Sequence, residues 1–319
     1  MKMPNCKEVG TIKALKALDD AQNRCRPYNH IEFRDDKVIK TTLTKEGQNL
    51  ITKEISWYDK LTQYGFKAIP KIYSHNPLIM EKIDGVNIFQ AKLTKNQKLA
   101  TIHNIIKQLT KMHSYEVKPA DKEDLTKEYF TKTIDRIDSI KYAIPFSEND
   151  TITINNKICK NPLKFRQIFK NAVETMLLDT IFCPIHGDCT LTNAMIDKSG
   201  NIYFIDARGY FGKQEVFGDI RYDWAKLYFS LYGNFDNFNI KKFDLNVSND
   251  SVIFAIESNG WEYLANEVLG TVCNLNEIQF IHAIIWLSLA SHCWEDYDSM
   301  CLAFYNGVYL INDFIGETE

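Results

Sequence analysis

Short apolar runs bounded by turn residues occupy the first part of the chain, and longer helical patterns occupy the rest. Residues 31–33 and 37–42 read as strands around an Arg34-Asp35-Asp36 turn, and residues 70–73 and 78–80 as two more around His75-Asn76-Pro77. Between these pairs, residues 49–64 carry apolar side chains at 50, 51, 55, 57, 58 and 61, a mostly helical spacing. The order is therefore strand, strand, helix, strand, strand. Before it, residues 9–18 fit either a strand or the start of a helix.

From Gly85 onwards the period lengthens, and this glycine fits a chain turning from one unit into the next. Leu99, Ile102, Ile105, Ile106, Leu109 and Met112 make one helical face ending at His113, which reads as a packed or capping residue. A stronger face runs from Phe165 through Phe169 and Val173 to Leu177, leading straight into His186. Between the two, residues 145–164 are polar and predict a loop or small hairpin. Trp224, Leu227, Tyr228 and Leu231 define another helix, with Asp219 or Asp223 at its start. Residues 280–293 are apolar almost all round and predict a core helix, and a last helix follows from Asp296 or Asp298.

The densest chemistry lies in residues 184–209, PIHGDCTLTNAMIDKSGNIYFIDARG. A polar turn at His186-Gly187-Asp188 precedes a short strand at 194–196. Lys198-Ser199-Gly200-Asn201 is turn chemistry, and a second strand at 202–205 ends on Asp206. Pairing the two strands brings Asp188, Asn193 and Asp206 to one end of a hairpin. Two carboxylates and an amide oxygen suit Mg²⁺, a hard cation that keeps waters and takes further ligands from phosphates.

Composition narrows the classes. The 319 residues are 45% hydrophobic and 25% charged, ordinary globular values. A net charge of −3 with no basic stripe gives no reason to expect nucleic acid. Eight cysteines without a C-x-x-C pair predict reduced thiols. The N-terminal residues lack an apolar signal core, and the most apolar later stretch, 280–290, is too short to span a bilayer. The expectation is a cytoplasmic protein with no membrane association; oligomeric state is not legible.

The segment H-G-D-x-x-x-x-N followed by a strand ending I-D resembles the catalytic segment of aminoglycoside phosphotransferases and choline-kinase-like enzymes, small-molecule relatives of the protein kinases. The resemblance implies an α+β, two-lobed protein-kinase-like fold, with a small β-rich N-terminal lobe (1–84) and a larger, mainly helical C-terminal lobe (85–319). It implies ATP, with GTP as an alternative, Mg²⁺, and a small-molecule hydroxyl acceptor such as a sugar or amino alcohol. Asp188 would accept the hydroxyl proton, and Asn193 and Asp206 would hold the metal. Lys40 in Val38-Ile39-Lys40 resembles the strand lysine that holds the phosphates, with Glu54 as its ion-pair partner. Met80–Gly85 is similar to the hinge whose backbone meets the adenine, here through Glu81 and Ile83.

No glycine-rich loop of the kinase type precedes Lys40, and Gly10-Thr11 is the one weak candidate. The patterns D-x-R-G and G-D-x-x-Y-D-x-A-K-L are more similar to phosphotransferase-like proteins encoded with bacterial surface-polysaccharide genes. In this setting Arg208 either reaches an anion or pins its own loop by an ion pair. Aromatic and acidic residues at 292–298 suit a quaternary ammonium or, equally, an acidic helix start. Two rival functions remain: a nucleotide-binding pseudokinase with a regulatory role, and an unrelated metal-dependent hydrolase.

Overall fold

Two strand pairs flank a single long helix at the N-terminal end of the computed structural model, which describes residues 29–315. Residues 9–18, with Gly10-Thr11, lie outside the described residues. Strands β1 (Asn29–Arg34) and β2 (Lys37–Thr42) pair antiparallel with Ile31 opposite Lys40. Thr44 then caps helix α1 (Lys45–Gln63), its hydroxyl accepting from the Gly47 N–H at 3.0 Å. The cap starts the helix ahead of its first apolar residue, so the predicted start at 49 falls one turn late. Strands β3 (Ile72–His75) and β4 (Leu78–Glu81) complete a sheet ordered β1-β2-β4-β3. Ile51, Trp57, Tyr58 and Leu61 bury one face of α1, and Leu78 and Met80 belong to the same core.

Strand β5 (Gly85–Asn87) leaves this sheet and pairs with residues 195–197 of the hairpin that follows His186. Gly85 is thus not a turn residue. A Cβ at this position would come within 2.4 Å of the Ile196 carbonyl oxygen, so close strand approach is what requires glycine.

The remainder is mainly helical. It begins with α2 (Lys95–His113). Then α3 (Lys122–Thr126), a π-type turn (Lys127–Thr131) and α4 (Lys132–Asp138) form one continuous helical stretch. The expected insertion is a hairpin, β6 (Thr151–Ile154) with β7 (Lys157–Lys160). After α5 (Arg166–Leu177), strand β8 (Ile181–Pro184) intervenes, so the helix does not run straight into His186. The hairpin that follows His186-Gly187-Asp188 is β9 (Ala194–Asp197) and β10 (Ile202–Phe204). Strand β11 (Phe217–Asp219) pairs with β8 and leads into α6 (Ile220–Leu231).

One element escapes the helical pattern altogether. Strands β12 (Phe243–Val247) and β13 (Ser251–Ile256) form a hairpin that joins β6 and β7 in one four-stranded sheet. Helices α7 (Glu262–Leu269), α8 (Leu275–Leu289) and α9 (Tyr297–Ile315) close the domain. Helix α8 packs on both α6 and α9, and Phe280, Trp286 and Phe304 are fully buried there. Among the described residues no helix is long and apolar enough to cross a membrane.

Candidate active site

Asp188 and Asn193 stand at the two ends of one short loop and hold each other. The Asn193 amide nitrogen donates to the Asp188 backbone carbonyl and to Oδ2, both at 2.9 Å. That leaves the amide oxygen of Asn193 as the end able to accept from, or ligate, another group. The Ile205 N–H donates to the Asn193 carbonyl at 3.0 Å, which sets Asp206 beside this loop. Asp206 has a left-handed backbone, φ 58°, and its N–H donates to the Tyr58 hydroxyl at 3.3 Å.

Lys40 meets Asp206 from the sheet side. Its ammonium lies 2.6 Å from Glu54 Oε2 and 2.5 Å from Asp206 Oδ1. Burial alone would lower the lysine pKa, but the Asp206 and Glu54 carboxylates outweigh it and hold the group raised and cationic. Burial pushes Glu54 up to about 7 against the pull of Lys40. Asp206, by contrast, keeps half of its side chain in solvent (49%), so one end of this ion-pair chain is open to solvent.

Buried hydrogen bonds fix the turn itself. His186 Nδ1 accepts from the Asp188 N–H at 3.1 Å, so the proton sits on Nε2, which donates to the Ile205 carbonyl at 3.1 Å. Burial lowers the His186 pKa, in keeping with this neutral tautomer. Asp223 accepts from the backbone N–H groups of His186 (2.9 Å) and Gly187 (2.7 Å) and pairs with His113 Nε2 at 3.0 Å. Burial opposes charge on Asp223, yet these donors hold its pKa below the usual range. Asp219 instead accepts from the Arg221 N–H at the start of α6 and from Tyr129. The two acidic candidates thus divide the work: Asp223 braces the loop and Asp219 caps the helix. His113 is a packed residue behind the brace.

Two contacts are not apparent in the sequence pattern, and a third decides between two readings of Arg208. Lys226, one turn beyond Asp223 on α6, places its ammonium 2.9 Å from Asp188 Oδ1. Residues three apart on a helix share a face, so the bracing role of Asp223 is the signal that points to Lys226. Trp57 of α1 donates its indole N–H to the Ile185 carbonyl at 2.7 Å, coupling the helix of Glu54 to the catalytic turn. Arg208 pairs with buried Glu128 at 2.9 Å, so of its two readings the loop-pinning one is what the structure contains. Gly209 next to it has φ +71°, and a Cβ there would lie 2.4 Å from the Lys53 carbonyl oxygen.

The remaining candidates lie apart from this cluster. At the strand end, the Glu81 N–H donates to the Lys71 carbonyl (2.8 Å), and the Ile83 carbonyl accepts from the Gly85 N–H (2.9 Å). In the 292–298 segment, Asp296 pairs with Lys241 at 2.6 Å and accepts from the Ser299 N–H, so its carboxylate is committed to the start of α9. Among the described residues no group of three or more His, Cys, Asp or Glu side chains is gathered to hold a metal. Asp206 and Asn193 nonetheless offer a hard-oxygen pair that fits a cation completed by water and phosphate oxygens.

No protein-family model and no curated protein matches the sequence. Solved structures do match its fold. A choline/ethanolamine kinase family protein from Mesorhizobium loti aligns with TM-score 0.52 and 12% identity over 92% of this chain and 94% of its own. Choline kinase LicA from Streptococcus pneumoniae aligns with TM-score 0.51 and 13% identity over 91% of each chain. The ternary complex of APH(2″)-IIa with streptomycin and ATP gives TM-score 0.51 and 14% identity over 96% of this chain and 99% of that one. The chain therefore has the two-lobed, protein-kinase-like fold, with a strand-rich N-terminal part and a helical C-terminal part. The solved structures it resembles are small-molecule kinases.

Proposed function

We propose that the protein is a phosphotransferase that moves the γ-phosphoryl group of ATP to a hydroxyl of a small metabolite, GTP being the alternative donor. The observation that carries this reading is the single chain of contacts joining Glu54, Lys40 and Asp206, with the Asp188–Asn193 loop beside it. In this reading the two lobes meet between residues 84 and 85. A nucleotide base would meet the Glu81 carbonyl and the Ile83 N–H, because the other backbone group of each is committed within the chain.

Lys40, kept cationic by its two carboxylates, orients the phosphates, and Glu54 fixes the lysine. Asp206 and Asn193 would hold Mg²⁺, which when bound neutralises charge on the phosphates. Asp188 aligns the acceptor hydroxyl and takes its proton. A bond forms from the acceptor oxygen to the γ-phosphorus, the bridging P–O bond breaks, and ADP leaves with the electron pair. Positioning and electrostatics supply most of the acceleration, which suits a turn braced by buried groups such as His186 and Asp223.

A cytoplasmic location agrees with use of ATP, and a role in surface-polysaccharide metabolism fits the sequence patterns around Arg208 and Lys226. The test is ATP consumption with and without Mg²⁺ against sugars, amino alcohols and nucleosides. Acceptor-dependent turnover supports the reading; nucleotide binding with no transfer to any alcohol contradicts it.

A further inference from the structure

Helix α4 and the π-type turn before it border a concavity of about 310 Å³ lined by Lys127, Thr131, Lys132, Asp135, Arg136 and Ser139. Lys127 and Asp135 lie exposed at its lip, and Lys132 and Arg136 are partly buried. Arg136 donates to the Ser288 hydroxyl at 2.6 Å, and among the described residues it has no carboxylate within ion-pair distance. Lys132 shares the buried carboxylate of Glu128 with Arg208. The Arg208 guanidinium lies over the Tyr210 ring at 4.2 Å and the Tyr222 ring at 5.4 Å.

These groups lead to the catalytic turn. The Arg208 N–H donates to the His186 carbonyl at 2.9 Å. Arg208 also presses electrostatically on Lys226, whose ammonium sits on Asp188, and Arg136, its pKa lowered first by burial, feels Tyr222, Arg208, Glu128 and Tyr210. Five basic side chains, Lys127, Lys132, Arg136, Arg208 and Lys226, thus stand against three carboxylates, Glu128, Asp135 and Asp188. An excess of one charge sign in a half-buried polar cluster is costly unless a ligand of the opposite sign completes it.

We propose that the acceptor is an anionic alcohol whose phosphate or carboxylate group is held by Arg136 and Lys132 while its hydroxyl reaches Asp188. This rests on the phosphotransferase reading and specifies its substrate class. The depressed pKa of Lys132, about 7, agrees with it: burial comes first, the neighbouring Arg208 adds to it, and an anion would relieve both. A planar guanidinium with free donor edges suits an oxyanion, whereas a quaternary ammonium meets the wrong sign of charge here.

The experiment is calorimetric titration of the ADP-saturated protein with glycerol, choline, glycerate and glycerol 3-phosphate, paired with ATP-dependent transfer to the same four compounds. Wild type, Arg136→Gln and Lys132→Gln are compared, with ADP titration reporting whether the nucleotide site is intact. The expected result is at least tenfold tighter binding of the anionic probes than of glycerol or choline, with that advantage lost in either variant. Glycerate against glycerol 3-phosphate separates the carboxylate from the phosphate form. The inference is overturned if the anionic probes bind no better than glycerol, or if their advantage survives in both variants. Faster transfer to glycerol or choline overturns it while leaving the phosphotransferase reading standing. No transfer to any of the four, with ADP binding intact, overturns this inference and leaves the phosphotransferase reading to its wider panel of acceptors.

Discussion

Lys226 Nζ and Asp188 Oδ1 are 2.9 Å apart, so the candidate catalytic carboxylate carries its own counter-ion from helix α6. Burial alone would lower the Lys226 pKa, but Asp188 raises it further, and the lysine remains cationic through the working pH range. A fixed ammonium at this place holds the carboxylate in one orientation and, in the proposed phosphoryl transfer, would offset negative charge beside the acceptor hydroxyl. Lys226→Met is expected to lower kcat by about tenfold or more, a loss typical of one positioned electrostatic group, with nucleotide affinity little changed. Lys226→Arg should recover part of the loss. Equal kcat in wild type and Lys226→Met would show that the pair is structural only.

Asp223 tests the brace. It accepts two backbone N–H groups of the catalytic turn from a fully buried position. Asp223→Asn keeps the shape but turns its NH₂ group towards one of the two donors, leaving that buried N–H unsatisfied at about 1–3 kcal/mol. Denaturant unfolding should show that loss, and kcat should fall with it. A variant of wild-type stability would contradict the brace.

Glu128 gives a pH dependence of definite sign. Burial opposes its ionisation, but Arg208 and Lys132 outweigh burial and hold its carboxyl at about 2 against an ordinary 4.5. The folded chain therefore binds fewer protons than the unfolded chain between these values. The stabilisation is fully present above pH 4.5 and is lost as pH falls towards about 2. It amounts to about 3 kcal/mol from the size of the shift. Glu128→Gln should flatten the stability–pH curve in that window, as measured by unfolding at a series of acidic pH values. An unchanged slope would refute the clamp.

How far the sequence reached depends on the range of each interaction. Strands β1 to β4 and helix α1 were readable because each alternates or repeats locally, and Lys40 and Glu54 meet because adjacent elements carry them. Asp188, Asn193 and Asp206 sit on one loop and hairpin, so their grouping follows from local pairing. Lys226 and Glu128 reach the site from separate elements: Lys226 is signalled only by its spacing from Asp223, and nothing in a linear pattern reports the approach of Glu128. Hairpin β12–β13 carries a legible signal, because Phe243, Leu245 and Val247 alternate strictly with Asp244 and Asn246, but its place beside β6 and β7 is a long-range pairing that no local pattern reports.

Asp206 should couple nucleotide binding to Mg²⁺. A ligand bound only by the folded state at a hundred times its Kd adds about 2.7 kcal/mol of stability. ATP with Mg²⁺ is expected to raise the melting temperature more than ATP alone, and Asp206→Asn should remove most of that difference. If the Mg²⁺-dependent increment is unchanged in the variant, Asp206 is not a ligand.

The most direct test is single-turnover phosphoryl transfer by Asp188→Asn, with ADP affinity measured in parallel. The amide is nearly isosteric, so the fold and the nucleotide site persist, but it cannot take the hydroxyl proton. The account predicts a fall in the transfer rate of about 10²–10⁴-fold, with ADP binding within a few fold of wild type. Near-normal transfer by this variant would contradict the assignment of Asp188 and the phosphotransferase mechanism built on it.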